Sequence, residues 1–181
     1  TQEGLFQHFS MVAKETDLPI ILYNVPSRTS VNMVSGTVAR LSAIKNIVGI
    51  KEASGSLVQV SEIIDSCGPD FSVISGEDAL TWPILAIGGK GVISVTANLV
   101  PKKFAKLCQA ARAGDVDKAK ALHYELLNLN DIMFIETNPI PVKAALALMG
   151  RIENEFRPPL CAPTEEHLSQ LKTVLETYAL V

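Results

Sequence analysis

The chain has 181 residues, 48% of them hydrophobic and 19% charged, with a formal net charge of −3. That length and balance can bury one good core, or a core with an appendage, and they exclude a disordered or fibrous chain. The 16 Lys and Arg residues are scattered among 19 Asp and Glu residues, so no basic footprint marks a nucleic-acid or anionic-membrane partner, and small neutral or anionic metabolites stay open as partners.

In chain order, Leu5, Phe9, Val12 and Ala13 recur at helical spacing before "TDLP" stops the helix and the apolar run "IILYNV" begins. Val34, Val38 and Leu41 predict a second helix leading to the strand "IVGIK". Leu57, Val60, Ile63 and Ile64 predict a third, closed by Gly68-Pro69 ahead of the strand "FSVIS". The segment from Ala79 to Ile87 is apolar enough for a buried helix, and "GGKG" leads into "VISV", the fourth strand. "GGKG" lacks the spacing of a phosphate-binding loop and precedes a strand, so it is expected to be a tight turn. Each strand is followed by one helical pattern, the signature of βα units with parallel strands and right-handed crossovers. The strands are nearly continuous apolar runs, as expected where both sheet faces are covered.

Beyond "VISV" the pattern changes. Pro101 suits a first helical turn, and Phe104, Leu107, Cys108 and Ala111 form a stripe ending at Gly114. Further stripes run through Val116 to Leu126, Val142 to Leu148 and Leu168 to Tyr178, the last with Thr164 as N-cap and Glu165 and Glu166 in its first turn. The expected division is therefore α/β over residues 1–114 and all-helical over residues 115–181.

Chemistry gathers at the strand exits, where ligands bind in parallel α/β folds. The four strands end in "YNVPSRT", "KEASGS", "SGED" and "SVTAN". Lys51 shares a strand side with Gly49 and Ile47, while Glu52 points the other way and is not its ion-pair partner. With Gly49 leaving space below it and no carboxylate beside it, a lysine in a dry interior is expected to have a lowered pKa, giving a free amine that can form a Schiff base. The bland alternative is a lysine that snorkels into water with Glu52 and Glu77 as loose surface partners. Tyr23, at the corresponding end of the first strand, offers a phenol for proton transfer, or is only a rim aromatic. Arg28 follows Pro26 with a fork suited to a carboxylate, or is a surface charge, and Gly76 lets backbone approach a ligand, or is a turn glycine.

Cys67, Cys108 and Cys161 lie far apart, and His8, His123 and His167 lack ligand spacing. Neither a disulfide framework nor a metal site is expected, and a reduced, cytoplasmic compartment fits best. No apolar run reaches the roughly 18 to 20 residues of a membrane span.

Taken in order and at these separations, "ILYNVPSRT", "IVGIKEASGS", "VISGED", "GGKGVISVTAN" and "NPIPVKAALALMG" resemble the dihydrodipicolinate synthase family, within the pyruvate-dependent class I aldolases that include N-acetylneuraminate lyase. The resemblance covers the whole chain. It implies a TIM (β/α)8 barrel with a C-terminal helical domain, and a reaction joining pyruvate to aspartate semialdehyde on the route to lysine and diaminopimelate. It implies Lys51 as the Schiff-base lysine, Tyr23 as the proton relay, Arg28 as the clamp for the aldehyde's carboxylate, and the backbone near Gly76 and Ile93 as part of the pyruvate pocket. No dissociable cofactor is implied, and a homo-oligomer, dimer or tetramer, is.

Four strands are half of that barrel, which typically needs about 250 residues. Thr1 opens the chain in place of Met, and a C-terminal part of a longer polypeptide is expected. The threonine pair and second tyrosine of the family's relay lie outside these motifs. Such a chain by itself is expected to self-associate and to have little synthase activity. Two other functions share these residues: a sister aldolase for sialic or keto-deoxy sugar acids, disfavoured by Arg28, and a non-catalytic remnant in which the motifs survive as folding elements.

Overall fold

The computed structural model describes residues 1–181. Two compact units divide it, Thr1–Ile93 and Ser94–Val181.

The first unit opens with α1 (Gln2–Lys14), started by the Thr1 hydroxyl, which accepts the Gly4 N–H at 3.1 Å. Then follow β1 (Ile20–Asn24), the short α2 (Pro26–Thr29), α3 (Ser35–Ser42), β2 (Ile47–Glu52), α4 (Leu57–Cys67) and β3 (Ser72–Ser75). A 3-10 turn at Asp78–Leu80, α5 (Thr81–Ala86) and β4 (Gly91–Val92) complete it. All three strand pairings are parallel and the order is β1-β2-β3-β4. Each crossover returns the chain to the next position in the sheet, as short helical connections between parallel strands require.

One sheet face is closed by helices. Leu22, Ile50 and Val73 on the strands meet Val38 and Leu41 of α3, Val60 and Ile63 of α4, and Ile84 of α5 in a single apolar cluster. The opposite face lacks such cover: Ile21, Tyr23 and Ile93 are 46, 45 and 48% exposed. Cover on both faces, expected from the continuous apolar runs, is therefore not supplied by this chain.

Two boundaries differ from the sequence expectation. The fourth strand is Gly91–Val92 and not "VISV". It has a neighbour on one side only, and the Ile93 N–H makes its last bond, to the Ser75 carbonyl at 2.9 Å. The apolar segment near Ala79–Ile87 is likewise not one helix but the 3-10 turn followed by α5.

The second unit has no strand: after a 3-10 turn at Thr96–Asn98 come α6 (Pro101–Arg112), α7 (Val116–Ile132), α8 (Ile140–Leu148) and, beyond an irregular stretch at 149–164, α9 (Glu165–Thr177). Helix α7 packs on α6 and α9, and α8 packs on α9. Phe104, Leu107, Leu126, Leu129, Met133, Ala144, Ala145, Leu171 and Leu175 are buried. Thr164 caps α9 as expected, accepting the His167 N–H at 3.2 Å, and Asp115, not singled out in the sequence, caps α7 by accepting the Lys118 N–H at 3.1 Å. His167 Nδ1 lies 2.7 Å from Glu136 Oε1, which also accepts the Thr164 N–H, so the start of α9 is tied to the segment before α8. No helix is long and apolar enough to cross a membrane.

Candidate active site

Parallel register decides which side chains become neighbours. Tyr23 on β1 stands beside Lys51 on β2, Lys51 beside Ile74 on β3, and Ile74 beside Gly91 on β4. This row crosses the sheet one residue before the strands end. Lys51 Nζ sits 4.1 Å from the centroid of the Tyr23 ring, within cation–π range. The amine and the aromatic face that the sequence set at two separate strand ends are thus brought into contact.

Gly76 joins them. A Cβ built there would lie 3.1 Å from Lys51 Cε, 2.7 Å from the Ala53 Cβ and 3.2 Å from the Glu52 carbonyl oxygen. Its N–H donates to that same carbonyl at 2.8 Å, so backbone lies directly against the lysine stem. Ile93 directly follows β4 at the carboxyl end of the sheet, its N–H bonded to the Ser75 carbonyl. Arg28 lies on α2, in the connection leaving β1 beside Lys51's strand, and is exposed.

Three expectations need correction. Lys51 is half-buried, not enclosed, because the face it stands on is the uncovered one, so this chain's own residues do not supply the dry interior the desolvation argument used. Gly49 does not leave space below the lysine: a Cβ there would come 2.5 Å from the Ser72 carbonyl oxygen, so the glycine admits the backbone of β3. Glu52 is no loose surface partner but 1% exposed. It does point away from Lys51, as alternation dictates.

What sequence reasoning missed lies on that other side. Asn24 is 2% exposed, and its Nδ2 donates to Glu52 Oε2 at 2.9 Å. Gln59 Nε2 reaches the same oxygen at 3.1 Å, and the Ser54 N–H donates to Oε1 at 2.6 Å. The signal was present as a polar pair, Asn24 and Glu52, at matching positions of two apolar strands. Glu77, after Gly76, is a further carboxyl of interest: burial, helped by the neighbouring Asp78 charge, pushes its pKa up.

The chain is 54% identical over 176 residues to the 4-hydroxy-tetrahydrodipicolinate synthase of Nitratidesulfovibrio vulgaris, covering 97% of this chain and 60% of that protein. It matches the crystal structure of dihydrodipicolinate synthase from Aquifex aeolicus with a TM-score of 0.98 and 46% identity, over 99% of this chain and 62% of that one. The chloride-inhibited enzyme of Acinetobacter baumannii, complexed with pyruvate, gives a TM-score of 0.97 and 42% identity over 100% of this chain and 62% of that chain. The chain thus spans about three fifths of the length of these relatives, and its four βα units are the C-terminal half of a (β/α)8 barrel followed by helices. Residues 1–178 match the model of the dihydrodipicolinate synthetase family, and it is to this family that the chain belongs.

Proposed function

We propose that this chain is the lysine-bearing part of a 4-hydroxy-tetrahydrodipicolinate synthase, which condenses pyruvate with aspartate semialdehyde. The observation that carries the proposal is the placement of Lys51 Nζ 4.1 Å from the Tyr23 ring at the carboxyl ends of adjacent parallel strands. The names of the relatives point to the same reaction, and one solved relative is described as complexed with pyruvate.

In this reaction the uncharged Lys51 amine adds to the pyruvate ketone, and loss of water leaves an imine. Removal of a methyl proton gives the enamine, whose carbon attacks the aldehyde, and the alkoxide formed takes up a proton. Tyr23, whose ring lies against the amine, serves these transfers with its phenol. Arg28 holds the aldehyde's carboxylate in its fork. The backbone at Gly76 and Ile93 shapes the pyruvate pocket, Gly76 because it alone leaves room for the lysine stem. Attack by the product's own amine then frees Lys51. The helical residues 115–181 act together with α6 in a C-terminal unit that begins at Ser94 and not at residue 115, the working enzyme is a homo-oligomer, and its compartment is the cytoplasm.

Borohydride reduction in the presence of pyruvate tests this. A pyruvate-derived mass increase localised to Lys51, and lost in Lys51→Met, is the expected result. No adduct in the wild-type chain would favour the remnant in which the motifs only help folding. Turnover of a sugar acid in preference to aspartate semialdehyde would favour the sister aldolases.

A further inference from the structure

We infer that Asn24 and Glu52 are positioning residues, a buried carboxylate–carboxamide clasp that fixes the segment carrying Arg28 against the strand carrying Lys51. The inference rests on the reading of Arg28 and Lys51 given above.

Asn24 and Glu52 occupy the row next to Tyr23 and Lys51, paired in the same register but facing the helices. They are 2% and 1% exposed. The Glu52 carboxyl oxygens accept N–H donors from Asn24, Gln59 and the Ser54 backbone, none of them a cation. Burying a carboxyl group with both oxygens desolvated costs stability that an apolar residue of similar size would not, so packing alone does not account for it.

What the clasp holds is specific. Asn24 Oδ1 accepts the Met33 N–H at 3.0 Å, and Asn24 Nδ2 also donates to Asn32 Oδ1 at 2.8 Å. Asn32 Nδ2 in turn donates to Gln59 Oε1 at 2.8 Å, and Gln59 Nε2 reaches the Met33 carbonyl at 3.2 Å. Asn24 is also where the segment leaves β1. One carboxamide therefore sits at the root of the connection and binds its far end nine residues on, closing a loop around α2 and Arg28. At the same time the Asn24 carbonyl accepts the Ala53 N–H at 2.9 Å, and that of Glu52 accepts the Gly76 N–H at 2.8 Å. The residues beside Tyr23 and Lys51 thus set the ends of three strands and the Arg28 loop as one unit, and fully satisfied buried networks of this kind are rigid.

The test exploits the chemistry of the pair. Asn24→Asp sets two carboxylates against each other, while the swap Asn24→Asp with Glu52→Gln returns a donor facing an acceptor. In the whole chain, Asn24→Asp is expected to raise amide hydrogen exchange across residues 27–33 about tenfold or more while the amides of β1 to β3 stay protected, and the swap is expected to recover most of that protection. Half-saturation of the borohydride-trapped adduct by pyruvate should stay within about twofold, whereas the affinity of succinate, read from the Arg28 Nε resonance, should fall about fivefold or more and return in the swap. If Asn24→Asp does not fold, Gln59→Leu removes a donor without adding charge and is expected to give the same pattern more weakly. Unchanged exchange in 27–33, exchange accelerated equally throughout the sheet, or a swap that recovers nothing would overturn the clasp. A succinate affinity indifferent to the variants, or absent in the wild type, would overturn its link to Arg28. Failure of the wild type to trap pyruvate would instead overturn the proposed function, and the exchange comparison would still decide the clasp.

Discussion

Gly76 illustrates how little room surrounds the candidate amine. A Cβ there would stand 2.7 Å from the Ala53 Cβ, so the backbone at that contact must shift, and 3.1 Å from the Lys51 stem, a flexible chain that must also give way. Gly76→Ala is therefore expected to swing Lys51 off the Tyr23 ring, to slow pyruvate trapping about tenfold, and to cost about 1–3 kcal/mol of stability in denaturant titration. Trapping at the wild-type rate would mean that the glycine serves only the turn. Glu136 gives a second residue-scale expectation, in the helical unit. The His167 ring hydrogen bond, then the Thr164 N–H, hold its carboxyl below the ordinary 4.5. A carboxyl with a depressed folded pKa adds stability that is present above the unfolded value and lost as pH falls through the folded one. Melting of the wild type should thus weaken below about pH 4.5 more steeply than that of Glu136→Gln, with the two profiles running parallel at higher pH. Parallel profiles across the acid range as well would show that the contact does not contribute.

At the scale of elements, the close approach of β2 to β3 depends on Gly49. Its missing side chain lets the Ser72 carbonyl oxygen come within 2.5 Å of where a Cβ would stand, and backbone cannot give way as a flexible side chain can. Gly49→Ala is expected to push the strands apart just two residues before Lys51, with a loss of about 1–3 kcal/mol in thermal or chemical unfolding. Because Tyr23 and Lys51 meet only through the register of β1 on β2, while Gly76 meets Lys51 through β2 on β3, trapping of pyruvate should fall as well. A variant with wild-type stability would indicate that the strands have slack the structure does not show.

The whole molecule presents a sheet with helices on one face and apolar and aromatic side chains bare on the other. Ile21, Tyr23 and Ile93 are each more than two fifths exposed, and the outer strands β1 and β4 each have one neighbour. Exposed edges and apolar sheet faces recruit other chains. The 181-residue chain by itself is expected to run above monomer size in sedimentation or size exclusion and to turn over aspartate semialdehyde poorly, since Lys51 is only half-buried where imine chemistry gains from excluded water. A cooperatively melting monomer with full turnover would contradict both expectations.

The residues in sequence determined the parallel βα order, the helical C-terminal stretch and the gathering of Tyr23, Arg28, Lys51 and Gly76 at strand exits, because periodicity, turn residues and capping act over a few neighbouring positions. Only the tertiary structure decided that Gly49 serves the backbone of β3, that Glu52 is buried in a clasp with Asn24 and Gln59, and that one sheet face stays open around Lys51. Those outcomes depend on register between strands and on what packs across them, which join residues far apart in the chain, and local pattern carries no record of them.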